Sequence, residues 1–192
     1  DVESFAVLRR RLNRMMSQCQ FCWEDFLMMV GNQPEREIIL DANQPIEFNT
    51  IKDAINAVIG TNYAGWMKAC WPNVMGNGSF RLWFPKLAHY ENGKPHAAAF
   101  GCVNVLSPDW NRLVFDDLKG SENSNTEHYD GYDLIFAKDS QKAGYVFGGV
   151  FIRNNVLSRQ NHSVSDRIAT KVCLIGTPAN KIKILNQIGD NA

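Results

Sequence analysis

Apolar and polar residues alternate along the second half of the chain, and this period of two predicts β-strands. In the first of these runs Phe80, Leu82 and Phe84 alternate with Arg81 and Trp83. The other predicted strands in this half of the chain are 97–106, 113–115, 132–137, 144–152 and 168–175. Strands at this spacing, with turn signals between them, predict one small, curved, mostly antiparallel β-barrel.

The strand at 144–152, with the sequence GYVFGGVFI, is rich in aromatic residues. Successive side chains of a strand point to opposite faces, so Tyr145, Phe147, Gly149 and Phe151 are predicted to share one face. Gly149 then leaves a gap in an aromatic row, which could admit a flat ligand or a closely approaching backbone. If the gap holds a ligand, Gly149→Val should leave the fold intact and abolish binding.

The N-terminal third of the chain has a different period, close to that of an α-helix. Apolar residues recur at three- and four-residue steps over 5–31, which predicts a long helix. A second helix is predicted from Thr50, with Asp53 as its acidic capping partner and Gly60 as its stop. A short helical turn is predicted at 66–70.

The two periods together predict an α+β protein, in which a helical region at 1–78 packs on a β-barrel-like region at 79–192. The chain begins at Asp1, so we expect one compact unit of a longer protein that has further domains. No apolar run approaches the roughly 18 residues of a membrane span, so no membrane partner is expected. An odd number of cysteines, mostly inside apolar patterns, favours a reducing, cytoplasmic location.

Basic residues are distributed unevenly, although the formal net charge is zero. They dominate the segment 153–183, in which Asp166 is the single acidic residue. We expect four of them to contact the phosphates of a nucleic acid: Arg153, Arg159, Arg167 and Lys171. Asn161 and His162 would lie on the loop between them. The alternative is that these charges form solvated faces or pair with acids of the same protein.

One pair of cysteines has the spacing of a zinc site. Cys19-x-x-Cys22 is not accompanied by a second pair or by suitably spaced histidines, so no metal is predicted. The chain also has no nucleophile elbow and no glycine-rich phosphate loop. Neither a cofactor nor a catalytic residue is therefore predicted.

A second pattern is that of metal-dependent nucleases, in which carboxylates hold a divalent cation. Pro108-Asp109, Asp117 and Lys119 match it. If 103–106 and 113–117 form a hairpin, its turn carries Asp109 and a far strand end carries Asp117. The two carboxylates would then lie roughly 15 Å or more apart, too far to share one metal. A nuclease that uses these residues is kept as an alternative.

The aromatic hairpin at 132–152 supports two interpretations. Rows of Tyr and Phe are usually packed in the core of a sheet. The alternative is an aromatic slot that stacks a flat ring, as in proteins that hold a base outside the stack. Asn104 shares a strand face with Phe100 and Cys102, and its amide could read the edge of such a base. The candidate ligand-binding residues are Trp83, Phe100, Asn104, Tyr132, Tyr145, Phe147, Gly149 and Phe151.

The strand GYVFGGVFI, followed after a polar loop by RIATKVCLIG, resembles the PUA-like β-barrel superfamily. That superfamily includes the EVE, ASCH and SRA types, in which a related strand lines the ligand pocket. The resemblance covers about residues 80–176 and extends to the recognition domains of bacterial modification-dependent restriction enzymes. Tyr129-Asp130-Gly131 is similar to a tripeptide of SRA domains, although the residues after it depart from that pattern.

The resemblance implies a domain that binds nucleic acid and encloses a modified or flipped base. We therefore predict a non-catalytic recognition module, with DNA favoured over RNA, in a bacterial restriction or defence protein. The alternatives are the metal-dependent nuclease and a protein-interaction domain with no nucleic-acid ligand.

Overall fold

The computed structural model describes residues 35–65, 69–71, 80–97, 101–118, 131–139 and 143–188. The chain divides into two compact units, Asp1–Glu35 and Arg36–Ala192, and every described helix and strand belongs to the second. The long helix predicted at 5–31 lies outside the described residues, as do Cys19 and Cys22.

The described residues contain one helix, α1 (Ile51–Ile59), and twelve strands. The strands are β1 (Glu37–Asp41), β2 (Glu47–Phe48), β3 (Cys70–Trp71), β4 (Phe80–Trp83), β5 (His89–Glu91), β6 (Lys94–His96), β7 (Cys102–Leu106), β8 (Arg112–Asp117), β9 (Tyr132–Ala137), β10 (Tyr145–Arg153), β11 (His162–Gly176) and β12 (Ala179–Gln187).

Helix α1 begins and ends as its sequence predicts. The backbone N–H of Asp53 donates to Thr50 Oγ1 at 3.1 Å, which satisfies one of the free amides of the first turn. Gly60 has a φ of 78° and its N–H donates to the carbonyl of Asn56 at 2.9 Å. The apolar face, including Ile55 and Val58, is fully buried in the core. The predicted second helix is therefore confirmed.

Other parts of the region predicted to be helical are strands. Strand β1 pairs with β11, β2 pairs with β10, and β3 pairs with β4. The predicted helical turn at 66–70 is wrong at Cys70, which faces Trp83 in the β3–β4 ladder. These segments are two to five residues long, and helical periodicity cannot be recognised over so short a run.

The large sheet has the strand order β3-β4-β9-β10-β11-β8-β7, with β1 and β12 also paired to β11 and β2 to β10. Its ladders are antiparallel except for β4 and β9, which are parallel, so the predicted mostly antiparallel arrangement is confirmed. The predicted barrel is not found, since in the part of the chain that the structure describes β3 and β7 do not pair to close the sheet. Strand β12 was not predicted from the sequence.

Two apolar clusters lie on opposite faces of the sheet. Alternate residues of β9 divide between them, with Leu134 and Phe136 in the first and Ile135 and Ala137 in the second. Helix α1 packs against the first cluster. The sheet is thus buried on both faces, which explains why β9 and β10 read as almost continuous apolar runs.

The predicted aromatic row of β10 is interrupted by a β-bulge. The ladder to β9 shifts register between Phe147 and Gly149, so that an extra residue lies on β10 at Gly148. A shift of one residue moves every following side chain to the other face. Phe147 therefore packs in the first cluster and Phe151 in the second, and the prediction that they share a face is wrong.

The space beside Gly149 is filled by protein. Its φ is 125°, and a Cβ there would lie 2.6 Å from the carbonyl oxygen of Ala169 and 2.7 Å from Arg167 Cδ. The group that approaches Gly149 is the backbone of the neighbouring strand β11. The sequence predicted either a flat ligand or a closely approaching backbone in this gap, and the backbone occupies it. No flat ligand can enter at this position.

Candidate functional site

A cavity of about 290 Å³ opens beside the end of β4, and we call it the aromatic pocket. Four aromatic side chains line it: Trp83, Phe84, Phe115 and Tyr145. Three polar or charged residues join them: Lys86, Cys102 and Asn104. The remaining lining residues are Ile51, Ala69 and Pro85.

The β7–β8 hairpin places one wall of the aromatic pocket. Cys102 and Asn104 are two positions apart on β7, so both point into the cavity, and Phe115 lies opposite Asn104 on β8. The ring of Phe115 meets the ring of Trp83 edge to face, with centroids 6.1 Å apart. Strand pairing thus fixes both an amide and an aromatic ring at the cavity.

Asn104 is 92% buried, and its side chain is only half satisfied. Its Nδ2 donates to the carbonyl oxygen of Lys86 at 3.0 Å, which fixes the orientation of the amide. Its Oδ1 is buried and has no hydrogen-bond partner among the described residues. A buried acceptor without a donor is costly, and most are paired in folded proteins. A donor that reached this atom on binding would therefore remove the cost of an unpaired buried acceptor.

Tyr145, at the start of β10, also lines the pocket. Its ring packs edge to face on Phe84, with centroids 5.8 Å apart. Burial raises the pKa of the Tyr145 hydroxyl above its ordinary value of 10.0, so the group stays protonated at neutral pH and can donate. The Lys138 ammonium lies 5.6 Å from the centre of the Tyr145 ring and donates to the carbonyl of Ala143 at 2.7 Å.

The structure brings together three of the eight candidate ligand-binding residues. Trp83, Asn104 and Tyr145 line the aromatic pocket, whereas Phe100 lies outside the described residues. The other four are elsewhere: Tyr132, Phe147, Gly149 and Phe151. Tyr132 packs on Phe80, and the rings of Phe147 and Phe151 are buried core.

Sequence reasoning missed seven of the ten described lining residues, among them Phe84, Lys86 and Phe115. Phe115 could have been found, because the turn at 107–111 sets the register of the hairpin and so places it opposite Asn104. Phe84 belonged to the predicted alternating run 80–84, but alternation did not show which face lines a pocket. Lys86 follows Pro85, beyond the end of β4.

The four predicted phosphate-binding residues do not form one cluster. Arg159 is exposed in the loop before β11, whereas Lys171 lies far along that strand and pairs with Asp41 at 3.2 Å. Lys171 is nine positions after His162 on β11, which is about 30 Å of extended strand. Arg153 is half-buried at the end of β10, next to the same loop as Arg159.

Arg167 is engaged within the protein. Its guanidinium donates to the carbonyl oxygens of Gly148 and Asp109, at 3.3 and 3.1 Å, and to Asn111 Oδ1 at 2.8 Å. Burial lowers the pKa of Arg167 below its ordinary value, but this guanidinium remains charged. The side chain ties the bulge of β10 to the β7–β8 turn.

The candidate nuclease residues are separated as the hairpin argument predicted. Asp109 is in the turn, where it accepts hydrogen bonds from Ser107 and Asn111, and Asp117 is at the other end of β8. Lys119 lies outside the described residues. Within the described ranges, no group of three or more His, Cys, Asp or Glu side chains could hold a metal ion.

The same ranges contain no helix long and apolar enough to span a membrane.

Comparison with models of known protein families shows which family the chain belongs to. The model of the SRA family, described as the SET and RING associated domain, matches residues 35–174. The chain belongs to the SRA family. The predicted resemblance to SRA-type, PUA-like domains is thereby confirmed, and the match includes all the strands around the aromatic pocket.

The SRA domain also has a structural neighbour among solved proteins, the 5-hydroxymethylcytosine-specific restriction enzyme AbaSI. The TM-score is 0.55 and the sequence identity 16%, which shows a shared fold. The similarity covers 92% of this chain and 56% of that chain, so the SRA domain spans little more than half of the enzyme. No curated protein matches the chain. SRA domains bind DNA, so the family match supports a DNA-recognition module.

Proposed function

We propose that this SRA domain is a non-catalytic module that binds duplex DNA and holds one modified cytosine, swung out of the base stack, in the aromatic pocket. The observation that carries the proposal is the unpartnered Oδ1 of Asn104, buried in the wall of an aromatic cavity. Enzymes and readers that act on single bases use this combination of aromatic faces and a polar edge reader.

The chemistry of the pocket fits an aminopyrimidine. Its volume is at the small end of ligand cavities, about 300 Å³, which suits one ring. The exocyclic N4 amine of cytosine is a donor, so it can satisfy Asn104 Oδ1. Thymine presents an acceptor at the equivalent position, and two acceptors facing each other would leave both unpaired.

The preference for a modified base and the place in a larger restriction protein rest on the structural neighbour. AbaSI is named as specific for 5-hydroxymethylcytosine, and the SRA domain corresponds to only part of its length. We extend both properties to this chain as proposals, with a defence protein as its setting.

The loop at 154–161 would contact the duplex around the target base. Val156 is 92% exposed at its tip, and Arg153 and Arg159 flank the tip. The amide of Asn154 organises the loop by accepting from the backbone N–H of Val156 and Leu157, each at 3.1 Å. Apolar side chains flanked by arginines suit insertion between base pairs with phosphate contacts on either side.

The test is binding to fluorescent duplexes that differ at one position, carrying cytosine, 5-methylcytosine or 5-hydroxymethylcytosine. We expect the domain to prefer a modified duplex, and its affinity to fall steeply with salt, because phosphates supply most of the binding energy. Equal affinity for all three duplexes contradicts base recognition. No binding at all favours a protein-interaction domain instead.

Two matched substitutions assign the pocket. Phe115→Leu removes a ring that lines the cavity, and stacking is worth about 1–3 kcal/mol per base, so affinity should fall about tenfold. Phe147→Leu removes a buried ring outside the cavity, so it should lower stability and leave the affinity of the folded protein unchanged.

Cleavage that needs a divalent metal and is abolished by Asp117→Ala would instead support the nuclease.

A further inference from the structure

Lys86 is the one charged residue among the described side chains that line the aromatic pocket. Its backbone is fixed on both sides, because Leu87 N–H donates to the carbonyl of Lys138 at 2.8 Å and Lys138 N–H donates to Pro85 at 3.0 Å. Its own carbonyl accepts from Asn104 Nδ2. The segment is therefore rigid, and its lysine is held at the cavity beside the candidate base reader.

The charge of Lys86 is not neutralised within the described part of the protein. No carboxylate there pairs with it, whereas Lys171 pairs with Asp41. Lys138, which is bridged to Lys86, already donates its ammonium to Ala143. None of the described residues that line the pocket is Asp or Glu. Among these described residues, Lys86 thus gives an otherwise uncharged aromatic cavity one positive charge.

A ligand that fills the cavity displaces water beside Lys86, a lining residue of intermediate exposure. A neutral occupant would leave the cation partly dehydrated and unpaired, which is unfavourable. An occupant with a negative charge would pair with it in a medium of low dielectric constant, where the attraction is strong. We propose that Lys86 binds an anionic oxygen group of the occupant, so that the pocket selects an acidic nucleotide unit and not a neutral base alone.

This inference rests on the proposed function, because it assumes that the occupant is a nucleotide of DNA. Two sources can supply the anionic oxygen: the phosphate that flanks the target nucleotide, or a carboxylate carried by the base. The chemistry at Lys86 is the same for both, and the experiment separates them.

The experiment measures duplex affinity by fluorescence anisotropy for wild type, Lys86→Gln, Lys86→Arg and Lys52→Gln. Lys52 is exposed on α1, so its substitution reports the general effect of one lost charge. The duplexes carry plain cytosine, 5-hydroxymethylcytosine with normal phosphates, 5-hydroxymethylcytosine flanked by uncharged methylphosphonates, or 5-carboxylcytosine. Thermal unfolding confirms that each variant is folded, and Lys86→Arg should retain binding because it retains the charge.

We expect Lys86→Gln to weaken binding about 10- to 100-fold, the range for a charge-assisted hydrogen bond, and Lys52→Gln to change it much less. If the phosphate is the source, methylphosphonates weaken wild type but not Lys86→Gln. If the base carboxylate is the source, wild type prefers 5-carboxylcytosine and Lys86→Gln loses that preference.

Equal affinities of Lys86→Gln and Lys52→Gln on every charged duplex would overturn the inference and leave base recognition standing. The same holds if Lys86→Gln weakens the neutralised duplex as much as the others, since the lysine would then contact an uncharged group. A wild type that does not distinguish any modified duplex from plain DNA overturns the proposed function, and this inference with it.

Discussion

Arg81 and Asp133 form an ion pair across the parallel ladder of β4 and β9. The Asp133 carboxylate is almost fully buried, with 4% of its side chain exposed, and the Arg81 side chain is 28% exposed. Burial raises the pKa of Asp133, and the hydrogen bond and charge of Arg81 act in the opposite direction. The same guanidinium lies 5.7 Å from the centre of the Trp83 ring. The pair therefore connects the sheet interior to a wall of the aromatic pocket.

Arg81→Met should cost about 3–5 kcal/mol of unfolding free energy at neutral pH, because it leaves a buried carboxylate without a partner. Without Arg81 the pKa of Asp133 rises further above its unfolded value, so the folded variant binds a proton more readily than the unfolded chain. The loss should therefore shrink as pH falls from neutral towards pH ~4. Urea unfolding at several pH values measures it.

The control is Arg112→Met, which breaks the more exposed pair with Asp166 and should cost about 1 kcal/mol or less. Similar small losses in both variants would show that the Arg81–Asp133 pair contributes no more than a surface pair.

Gly149→Ala should destabilise the domain by about 3 kcal/mol or more. The new Cβ would clash with the carbonyl of Ala169, and the positive φ adds strain. Gly93→Ala is the matched control, because Gly93 also has a positive φ (73°) but nothing lies within 4 Å of its Cβ position. Calorimetric or chemical unfolding should show the larger loss at Gly149. Equal losses would mean that the backbone strain alone decides, and that the strands can move apart.

Arg167→Glu should unfold or strongly destabilise the domain, because three hydrogen bonds from the guanidinium are lost and an acid is buried near Gly148. Arg159→Glu reverses the same charge at an exposed position and should leave the unfolding midpoint unchanged while weakening DNA binding at every sequence. Circular dichroism and anisotropy on both variants check this. A fully stable Arg167→Glu protein with uniformly weakened DNA binding would restore the phosphate-contact role that the sequence predicted.

Acid should weaken the β7–β8 turn through Asp109. Hydrogen bonds from the Ser107 hydroxyl and then from the Asn111 backbone hold the pKa of Asp109 below its ordinary value of 3.8. A carboxylate with a lowered folded pKa stabilises the fold above the unfolded pKa and loses that contribution as pH falls through the folded pKa. NMR titration should therefore place Asp109 below 3.8, and Ser107→Ala should move it upwards. A titration of wild type at or above 3.8 would contradict these contacts.

The sequence predicted the elements whose signal is local. Thr50, Asp53 and Gly60 mark the ends of α1, and alternation of Phe80 and Leu82 with Arg81 and Trp83 marks β4. Three of the ten described lining residues of the candidate pocket were predicted, Trp83, Asn104 and Tyr145, because aromatic rings and a buried amide suit a stacked base. Phe115 required the register of a hairpin.

The rest depended on geometry that residue types do not encode. Two adjacent glycines on β10 permit a bulge, but only the partner strand shows that it occurs and that Phe151 changes face. Arg167 was predicted to bind phosphate because it lies in a basic segment. The carbonyl groups that it binds instead belong to the β10 bulge and to a distant turn, and neither could be located from the sequence. Residue types do not show which backbone carbonyl groups will accept a side-chain hydrogen bond.

Strand β11 runs through the sheet as His162–Gly176 and pairs with four strands, β1, β8, β10 and β12. None of the four can open its ladder to β11 independently for long, since each shares part of the same fifteen-residue strand with another. Amide hydrogens in the middle of β11 should consequently exchange with solvent only when the whole domain opens, and so report its global free energy. No described residue of β11 lines the aromatic pocket, but Phe115 on β8 and Tyr145 on β10 connect the pocket walls to this strand through their ladders.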